Sequence, residues 1–439
     1  MGNRNFLGFT NYQWLVLFAA WLGWGFDVFD ALLFNYVARL CIPALLPPGM
    51  GTPQAVTQWT GVITSVLLLG WGVGGIMYGK ITDRIGRSRA LLYTMLTYAI
   101  ATAACAFAPN LWFLIVCRFV AALGIGGEWA AGAALVAETV PENRRVHAGA
   151  LLYTASPAGL FLATFVTDLF TRQLGTLADN PELAWRAVFL TGLIPAAIAF
   201  WIRLKVREPE GWKPNFRTPK IRELFTPELY WITLGGMAMA LVALLTWWSC
   251  NAFIPNLISF LVADAYAHLP QESLAALKSD YVRIGTSWFN LGGLVGTLLT
   301  IPAALYLGRR KMFYLYFALS AASIAAAFAL PLEVETRLLL LFVVGVPVFG
   351  VFGSFPFYLP ELFPMHLRAT GSGFCYNVGR FITAAGPFVV AYFSRTAQNG
   401  AELMQVISWV ALIPLLGLVL LFLGLGEEVR TIKPQRLQE

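Results

Sequence analysis

The chain has 439 residues, of which 58% are hydrophobic and only 12% are charged, with a mean hydropathy of +0.68. Soluble globular domains carry roughly 25% charged residues, so this composition leaves too little polar surface for a water-soluble particle. An ordinary soluble enzyme is therefore excluded, and an all-α integral membrane protein is indicated. The net charge of +7 fits basic loops at a membrane surface and does not require nucleic acid as a partner.

No residue pattern points to a cofactor, a metal or a catalytic centre. The five cysteines are scattered, odd in number and mostly inside apolar runs, so they form neither a disulfide framework nor a Cys-x-x-Cys site. The sequence contains no Walker A loop, which argues against ATP-driven transport. We expect no enzyme activity and no cofactor.

Apolar runs predict twelve membrane spans, because one spanning helix needs about 20 consecutive apolar residues. Six lie in each half of the chain. The predicted spans are 12–38, 59–79, 90–107, 111–138, 148–170 and 186–203, followed by 228–261, 282–306, 312–331, 336–359, 369–393 and 403–425.

A basic, proline-broken stretch separates the two sets of spans. We predict an N-terminal six-helix domain at 1–203, a cytoplasmic linker at 204–227, a C-terminal six-helix domain at 228–426 and a cytoplasmic tail at 427–439. Most lysines and arginines then lie on the side of the two termini. The positive-inside rule therefore predicts that both termini are cytoplasmic.

Two motifs recur about half a chain apart. The pattern E-x-x-P-x-x-x-R occurs at Glu138–Arg145 and again at Glu361–Arg368, and a Gly-Arg pair occurs at Gly86–Arg87 and again at Gly308–Arg309. Two unrelated motifs with nearly the same spacing indicate a duplicated six-helix unit. We expect pseudo-two-fold symmetry.

The loop after the second span, GKITDRIGRSR, contains the most specific motif, with Asp83, Arg84 and Arg87. It resembles the G-x-x-x-D-R-x-G-R signature of the major facilitator superfamily, and this resemblance implies two six-helix domains and a charged cytoplasmic gate. The second half has Leu305 where Asp83 would map, which suggests an asymmetric gate. A simple basic anchor loop is the alternative.

The four charges of the repeated E-x-x-P-x-x-x-R motif, namely Glu138, Arg145, Glu361 and Arg368, resemble further gate charges of sugar porters in that superfamily. Solvated surface ion pairs, each contributing less than about 1 kcal/mol, are the alternative interpretation.

The first span carries Asp27 and Asp30, three residues apart and so on roughly the same helix face. Two close carboxylates cannot both ionise cheaply in a low dielectric, so we expect a proton site unless one of them is paired. A polar pair that lines a vestibule without coupling to transport is the alternative.

The fourth span offers a cation, Arg118, at a depth that suits either aspartate, and a second acid, Glu128. In proton-coupled sugar porters, the aspartate of a Gly-aromatic-Asp segment pairs with such an arginine. That resemblance implies an alternating Asp27–Arg118 pair, with a fixed structural salt bridge as the alternative. Glu128 is a candidate proton relay or gate residue.

Arg380, in the middle of the eleventh span, is the other intramembrane cation. An arginine binds a carboxylate bidentately, so we expect an organic anion there, or else a bridge to one of the acids above. Asn251, Tyr376 and Asn377 are candidate substrate contacts, since a polar group in hydrocarbon needs a partner. Pro255, Pro356 and Pro360 are expected to break the seventh and tenth helices.

More narrowly, the chain resembles the sialate and monocarboxylate:proton symporters of the superfamily, through GEWAAGAALVAE and PELFPMHLRATGSGFCYNVGR. The resemblance implies a monomeric bacterial inner-membrane symporter whose partners are protons, the lipid bilayer and a small organic anion such as sialic acid or a monocarboxylate. A proton-coupled transporter of a neutral sugar or drug is the alternative. A membrane sensor is disfavoured because no loop could hold a signalling domain.

Overall fold

A computed structural model describes residues 8–175, 179–209, 219–385 and 400–425. Parts of the predicted linker (210–218), of the eleventh span (386–393) and the whole predicted tail lie outside the described residues. The described helices are α1 (Asn11–Leu45), α2 (Pro53–Ile85), α3 (Arg87–Cys105), α4 (Leu111–Thr139), α5 (Arg145–Tyr153), α6 (Ala155–Asp168), α7 (Pro181–Leu190), α8 (Ile194–Lys205), α9 (Tyr230–Ala265), α10 (Gln271–Ala329), α11 (Val334–Gly350), α12 (Phe355–Glu361), α13 (Arg368–Thr383), α14 (Gly400–Trp409) and α15 (Leu412–Phe422).

These helices account for the twelve expected spans, which confirms the all-helical membrane fold. The pairs α5–α6, α7–α8, α11–α12 and α14–α15 each form one span, and α10 forms two. Within the described part of the chain, eight helical stretches are long and apolar enough to cross a membrane.

Helix starts follow local capping chemistry. Thr10 and Gln13 form a reciprocal capping box at the start of α1, with bonds of 3.2 and 3.0 Å. The side chain of Asn110 accepts a hydrogen bond from Phe113 N at 3.0 Å and caps α4. These polar caps supply partners for backbone N–H groups that the helix itself leaves unpaired.

The two halves use the same backbone turn between their second and third spans. Gly86 has φ +106° between α2 and α3, and Gly308 has φ +79° at the bend inside α10. Glycine adopts positive φ without the steric cost that a Cβ imposes. The turn and the repeated motif around it therefore have one structural cause in both halves.

The repeated charges also make repeated contacts. Arg87 pairs with Glu138 at 2.8 Å, and the equivalent Arg309 pairs with Glu361 at 3.2 Å. This agreement confirms the pseudo-two-fold arrangement of two six-helix domains. The boundaries at residues 203 and 228 remain predictions.

Close helix contacts inside each half depend on glycine. A Cβ at Gly74 would collide with the backbone of Leu123, and a Cβ at Gly296 would collide with the backbone of Val346. Gly159 similarly lies against the backbone oxygen of Gly25, so α6 packs closely on α1. Small residues at such contacts let helix backbones approach in a membrane, where packing replaces the hydrophobic effect.

The expectation that prolines break two helices is partly wrong. α9 continues through Pro255. The tenth span is interrupted at the 3₁₀ segment Val351–Ser354, and Pro356 and Pro360 lie in the short helix α12 that follows. A proline in the first turn loses no helical hydrogen bond, so Pro356 fits the start of α12.

Candidate functional site

A cavity of about 100 Å³ lies between the two halves. Its N-terminal wall comes from α1, α2, α4, α5 and α6, and its C-terminal wall comes from α9, the 351–354 segment and α13. The cavity is lined on the N-terminal wall by Trp24, Asp27, Trp71, Trp129, Tyr153 and Ser156, among others. On the C-terminal wall it is lined by residues that include Trp247, Asn251, Phe352, Tyr376 and Arg380.

Asp30 and Arg118 form a buried ion pair inside the N-terminal half. Arg118 Nη1 lies 3.0 Å from Asp30 Oδ1, and both side chains are fully buried. Thr102 of α3 donates a hydrogen bond of 2.6 Å to the same carboxylate. The Asp27–Arg118 pair implied by the sugar porters is therefore wrong for this structure. Asp30, three residues further along α1, points toward α3 and α4, whereas Asp27 does not.

Asp27 instead lies in the cavity wall beside Glu128. The two carboxyl groups are near enough to repel each other electrostatically when both are ionised. Each residue is 1% exposed, and Asp27 Oδ1 and both Glu128 oxygens have no hydrogen-bond partner among the described residues. Gly23 provides the space for Glu128, since a Cβ at Gly23 would collide with its Oε1.

Arg380 presents an uncompensated cation to the cavity. Its Nη1 donates a hydrogen bond of 2.5 Å to Asn377 Oδ1, and its guanidinium lies 4.0 Å from the centroid of the Trp71 ring and 4.7 Å from that of Tyr376. Its Nε has no partner, and no carboxylate among the described residues forms an ion pair with it. Asp27 attracts it electrostatically from the facing wall.

Two of the three expected polar contacts line the cavity, namely Asn251 and Tyr376. The third, Asn377, does not, which corrects that expectation. It is fully buried against Gly75 of α2, donates to Gly373 O at 2.8 Å and accepts from Arg380. Asn377 therefore positions Arg380 and does not contact the cavity itself.

One end of the bundle holds Asp83, Arg87, Glu138 and Arg368, and we call it the charged end. There Asp83 of the N-terminal half bonds to the C-terminal half. Its carboxylate accepts hydrogen bonds from Thr370 N and Thr370 Oγ1, both at 2.7 Å, and from Ala369 N at 3.3 Å. These donors belong to the first turn of α13, where the helix dipole favours a negative charge. Asp83 therefore caps a helix of the opposite half.

A second set of bonds at the charged end also joins the halves. Arg87 binds Glu138 through two bonds of 2.8 Å and donates to Met365 O at 2.8 Å. Arg368 lies 3.5 Å from the same Glu138 carboxylate. Glu138 thus connects α4 to cations from both halves.

The remaining predicted gate residues take other positions. Arg145 does not pair with Glu138 but with Glu142, at 3.2 Å, and Glu361 pairs with Arg309 and not with Arg368. Arg84 is exposed and forms no ion pair within the described ranges. In each E-x-x-P-x-x-x-R motif a turn separates the glutamate from the arginine. Their seven-residue spacing therefore does not bring the two side chains together.

Glu208, in the linker, was not predicted from the sequence. Its carboxylate accepts backbone hydrogen bonds from Arg87 N at 2.6 Å, Arg89 N at 3.0 Å and Ser88 N at 3.2 Å, and so caps α3. An acid within a basic linker was the available signal. Thr102 and Thr370 were also missed, since a threonine in a helix gives no distinctive pattern.

The structure is closed at the charged end. Asp83, Arg87 and Glu138 hold the two halves together there, and Gly79 packs on the backbone of Ala369. The cavity instead extends along α1 to the exposed Asn35, toward the opposite end of the bundle. Access from one side only is the geometry that alternating access requires.

Comparisons with known proteins agree with this architecture. The Major Facilitator Superfamily pattern matches residues 28–387. A solved structure of the proton:xylose symporter XylE bound to 6-bromo-6-deoxy-D-glucose has a similar fold, with a TM-score of 0.70, 16% sequence identity and coverage of 94% of this chain and 96% of that one.

Several bacterial proteins are similar over most of their length. A protein of Haemophilus influenzae named as a metabolite transport protein is 28% identical, covering 92% of this chain and 96% of its own. A protein of Cupriavidus pinatubonensis named as a 4-methylmuconolactone transporter is 29% identical (86% and 82% covered), and the sialic acid transporter NanX of Escherichia coli is 26% identical (91% and 92%). This chain therefore belongs to the Major Facilitator Superfamily and is a multi-pass membrane transporter of metabolites, not an enzyme.

Proposed function

We propose that the chain is a proton-coupled symporter of a small organic anion, working by alternating access. The observation that carries the proposal is Arg380, a buried cation that faces the cavity without a carboxylate partner. A buried unpaired charge is costly, and an incoming carboxylate would compensate it bidentately. A neutral substrate would leave this cost in place.

The proton would be carried by Asp27 together with Glu128. Two adjacent buried carboxyl groups repel when both are ionised, so such a pair holds a shared proton and releases it when the surroundings become polar. Their place beside the cavity, within the field of Arg380, supports coupling between proton and anion. Asp30 would stay a structural anion, since Arg118 and Thr102 already satisfy it.

The charged end would be the cytoplasmic gate, with Asp83, Arg87, Glu138 and Arg368 as its contacts. The excess of lysine and arginine in the loops at this end supports the orientation with both termini cytoplasmic. The bacterial relatives support an inner-membrane location. We further propose that one chain is the transport unit, because both walls of the cavity come from the same chain.

Uptake into proteoliposomes with separate control of the pH gradient and the membrane potential tests this proposal. One proton moving with one monoanion transfers no net charge, so accumulation would follow the pH gradient, about tenfold per pH unit, and ignore the potential. Asp27→Asn should abolish gradient-driven accumulation but leave exchange of labelled for unlabelled anion. Arg380→Ala should abolish both.

Asp280→Asn is the matched control, because this aspartate is exposed and, among the described residues, forms its ion pair with the exposed Arg283. Gradient-driven anion uptake that survives both Asp27→Asn and Arg380→Ala would refute the mechanism. Accumulation of a neutral sugar in place of any acid would favour the neutral-substrate alternative.

A further inference from the structure

The walls of the cavity are built from aromatic rings that contact one another across the two halves. Trp129 of α4 stacks on Tyr376 of α13 with ring centroids 4.3 Å apart and planes 11° apart. Trp24 meets Trp129 edge-on at 6.1 Å and Tyr153 edge-on at 4.8 Å. The result is one continuous set of ring faces and edges around the space next to Arg380.

Arg380 is held between two of these rings. Its guanidinium lies over Trp71 at 4.0 Å and over Tyr376 at 4.7 Å, and Asn377 fixes one of its nitrogens. A bidentate carboxylate lies in the plane of the guanidinium. The body of a ligand bound in this way therefore leaves Arg380 along the ring walls, where flat ligands gain more contact than puckered ones.

Four of the unpaired polar groups around the cavity are donors. The indole N–H groups of Trp71, Trp129 and Trp247 have no acceptor among the described residues, and neither has Arg380 Nε. The hydroxyl groups of Tyr153, Ser156 and Tyr376 lie near one another on the walls. The nearby Asp27 carboxylate can accept only a few hydrogen bonds, so a ligand with hydroxyl groups around its whole body would place most of them against ring faces, at a desolvation cost for each.

We propose that the cavity selects a flat, unsaturated carboxylate over saturated and polyhydroxylated acids of similar size. The inference rests on the proposed function, because it takes Arg380 as the anion site. Within that function it assigns Trp71, Trp129 and Tyr376 to substrate selection, and it makes a further acceptor on the ligand, such as a ring carbonyl, favourable against an indole N–H. Aromatic walls that serve only helix packing are the competing explanation.

Binding of four small probes to the purified protein, measured by isothermal titration calorimetry, tests the selection. Benzoate is flat and charged, cyclohexanecarboxylate is puckered and charged, gluconate is charged and polyhydroxylated, and benzamide is flat and neutral. We expect benzoate to bind about threefold to tenfold more tightly than cyclohexanecarboxylate, gluconate to bind more weakly than both, and benzamide not to bind.

The outcomes separate this inference from the function on which it rests. Equal binding of benzoate and cyclohexanecarboxylate, or tighter binding of gluconate, would overturn the selection of flat ligands while leaving anion transport intact. Binding of benzamide at the level of benzoate would overturn both, because the charge would then contribute nothing. Absence of binding by all four probes would also overturn both.

Variants distinguish a selecting wall from a packing wall. Trp129→Leu should reduce the preference for benzoate over cyclohexanecarboxylate toward one, whereas a ring that only packs would change both affinities alike. Trp231→Leu is the matched control, because Trp231 is 68% exposed and lies away from the cavity. An unchanged preference in Trp129→Leu would overturn the assignment of this ring.

Discussion

Replacing Asp83 by asparagine should open the charged end. The carboxylate accepts three hydrogen bonds from the first turn of α13 in the opposite half, at 2.7, 2.7 and 3.3 Å, and is 2% exposed. Hydrogen bonds to a charged group contribute about 1.5–3 kcal/mol each. Asparagine keeps one acceptor oxygen but loses the charge, so we expect the closed arrangement to lose about 2–4 kcal/mol.

That loss corresponds to a change of about 30-fold to 1000-fold in the ratio of closed to open molecules. Spin labels at Arg89 and Lys311, both exposed and in different halves, would report the separation of the halves by double electron–electron resonance. We expect a longer distance to become populated in Asp83→Asn. Thr370→Val removes one of the three bonds, and a loss of about 1.5 kcal/mol should give a shift of about 13-fold.

Asp280→Asn controls for loss of an exposed carboxylate, and its distance distribution should match that of the unmodified chain. An unchanged distribution in Asp83→Asn would contradict the reasoning, since it would mean that the cap in the opposite half does not hold the closed state. A shift of equal size in Asp83→Asn and Asp280→Asn would attribute the effect to net charge alone.

Three further substitutions test other contacts. Asp30→Asn should lower the stability of the purified protein by about 3–5 kcal/mol in a denaturation assay, because the buried arginine that it binds would lose its partner. Gly23→Ala should displace Glu128 and reduce proton-driven uptake, whereas Gly61→Ala, with nothing within 4 Å of the new Cβ, should be silent; equal loss in both would contradict this. Glu208→Gln should destabilise α3 by about 1 kcal/mol, visible as faster hydrogen exchange in its first turn, and unaltered exchange there would count against the cap.

Composition and periodicity were sufficient to predict the spans, because membrane helices must satisfy their backbone internally and are long and apolar. The repeat was predictable as well. The backbone has a positive φ at residues 86 and 308, and this conformation favours glycine at both positions. Depth along a helix also followed from counting residues, and Arg380 does face the cavity as expected.

The rotation of each helix could not be predicted in the same way. Asp27 and Asp30 differ by about 60° around α1, and which of them meets Arg118 depends on how α1 packs on its neighbours. That packing is set by contacts such as Gly159 against the backbone of Gly25, between residues far apart in sequence. Asn377 was misassigned for the same reason, because Gly75 admits its side chain between helices.

The glycine contacts inside each half have a consequence for how this transporter can diversify. Gly74 and Gly296 pack on the backbones of Leu123 and Val346 and leave no space for a larger side chain. Substitutions at these two positions should therefore abolish function in a mutational scan. The ring walls beside Arg380 consist of side chains, and a smaller side chain there would not collide with a neighbouring backbone. A lineage could therefore acquire new substrates by exchanging wall residues while each half keeps its rigid shape.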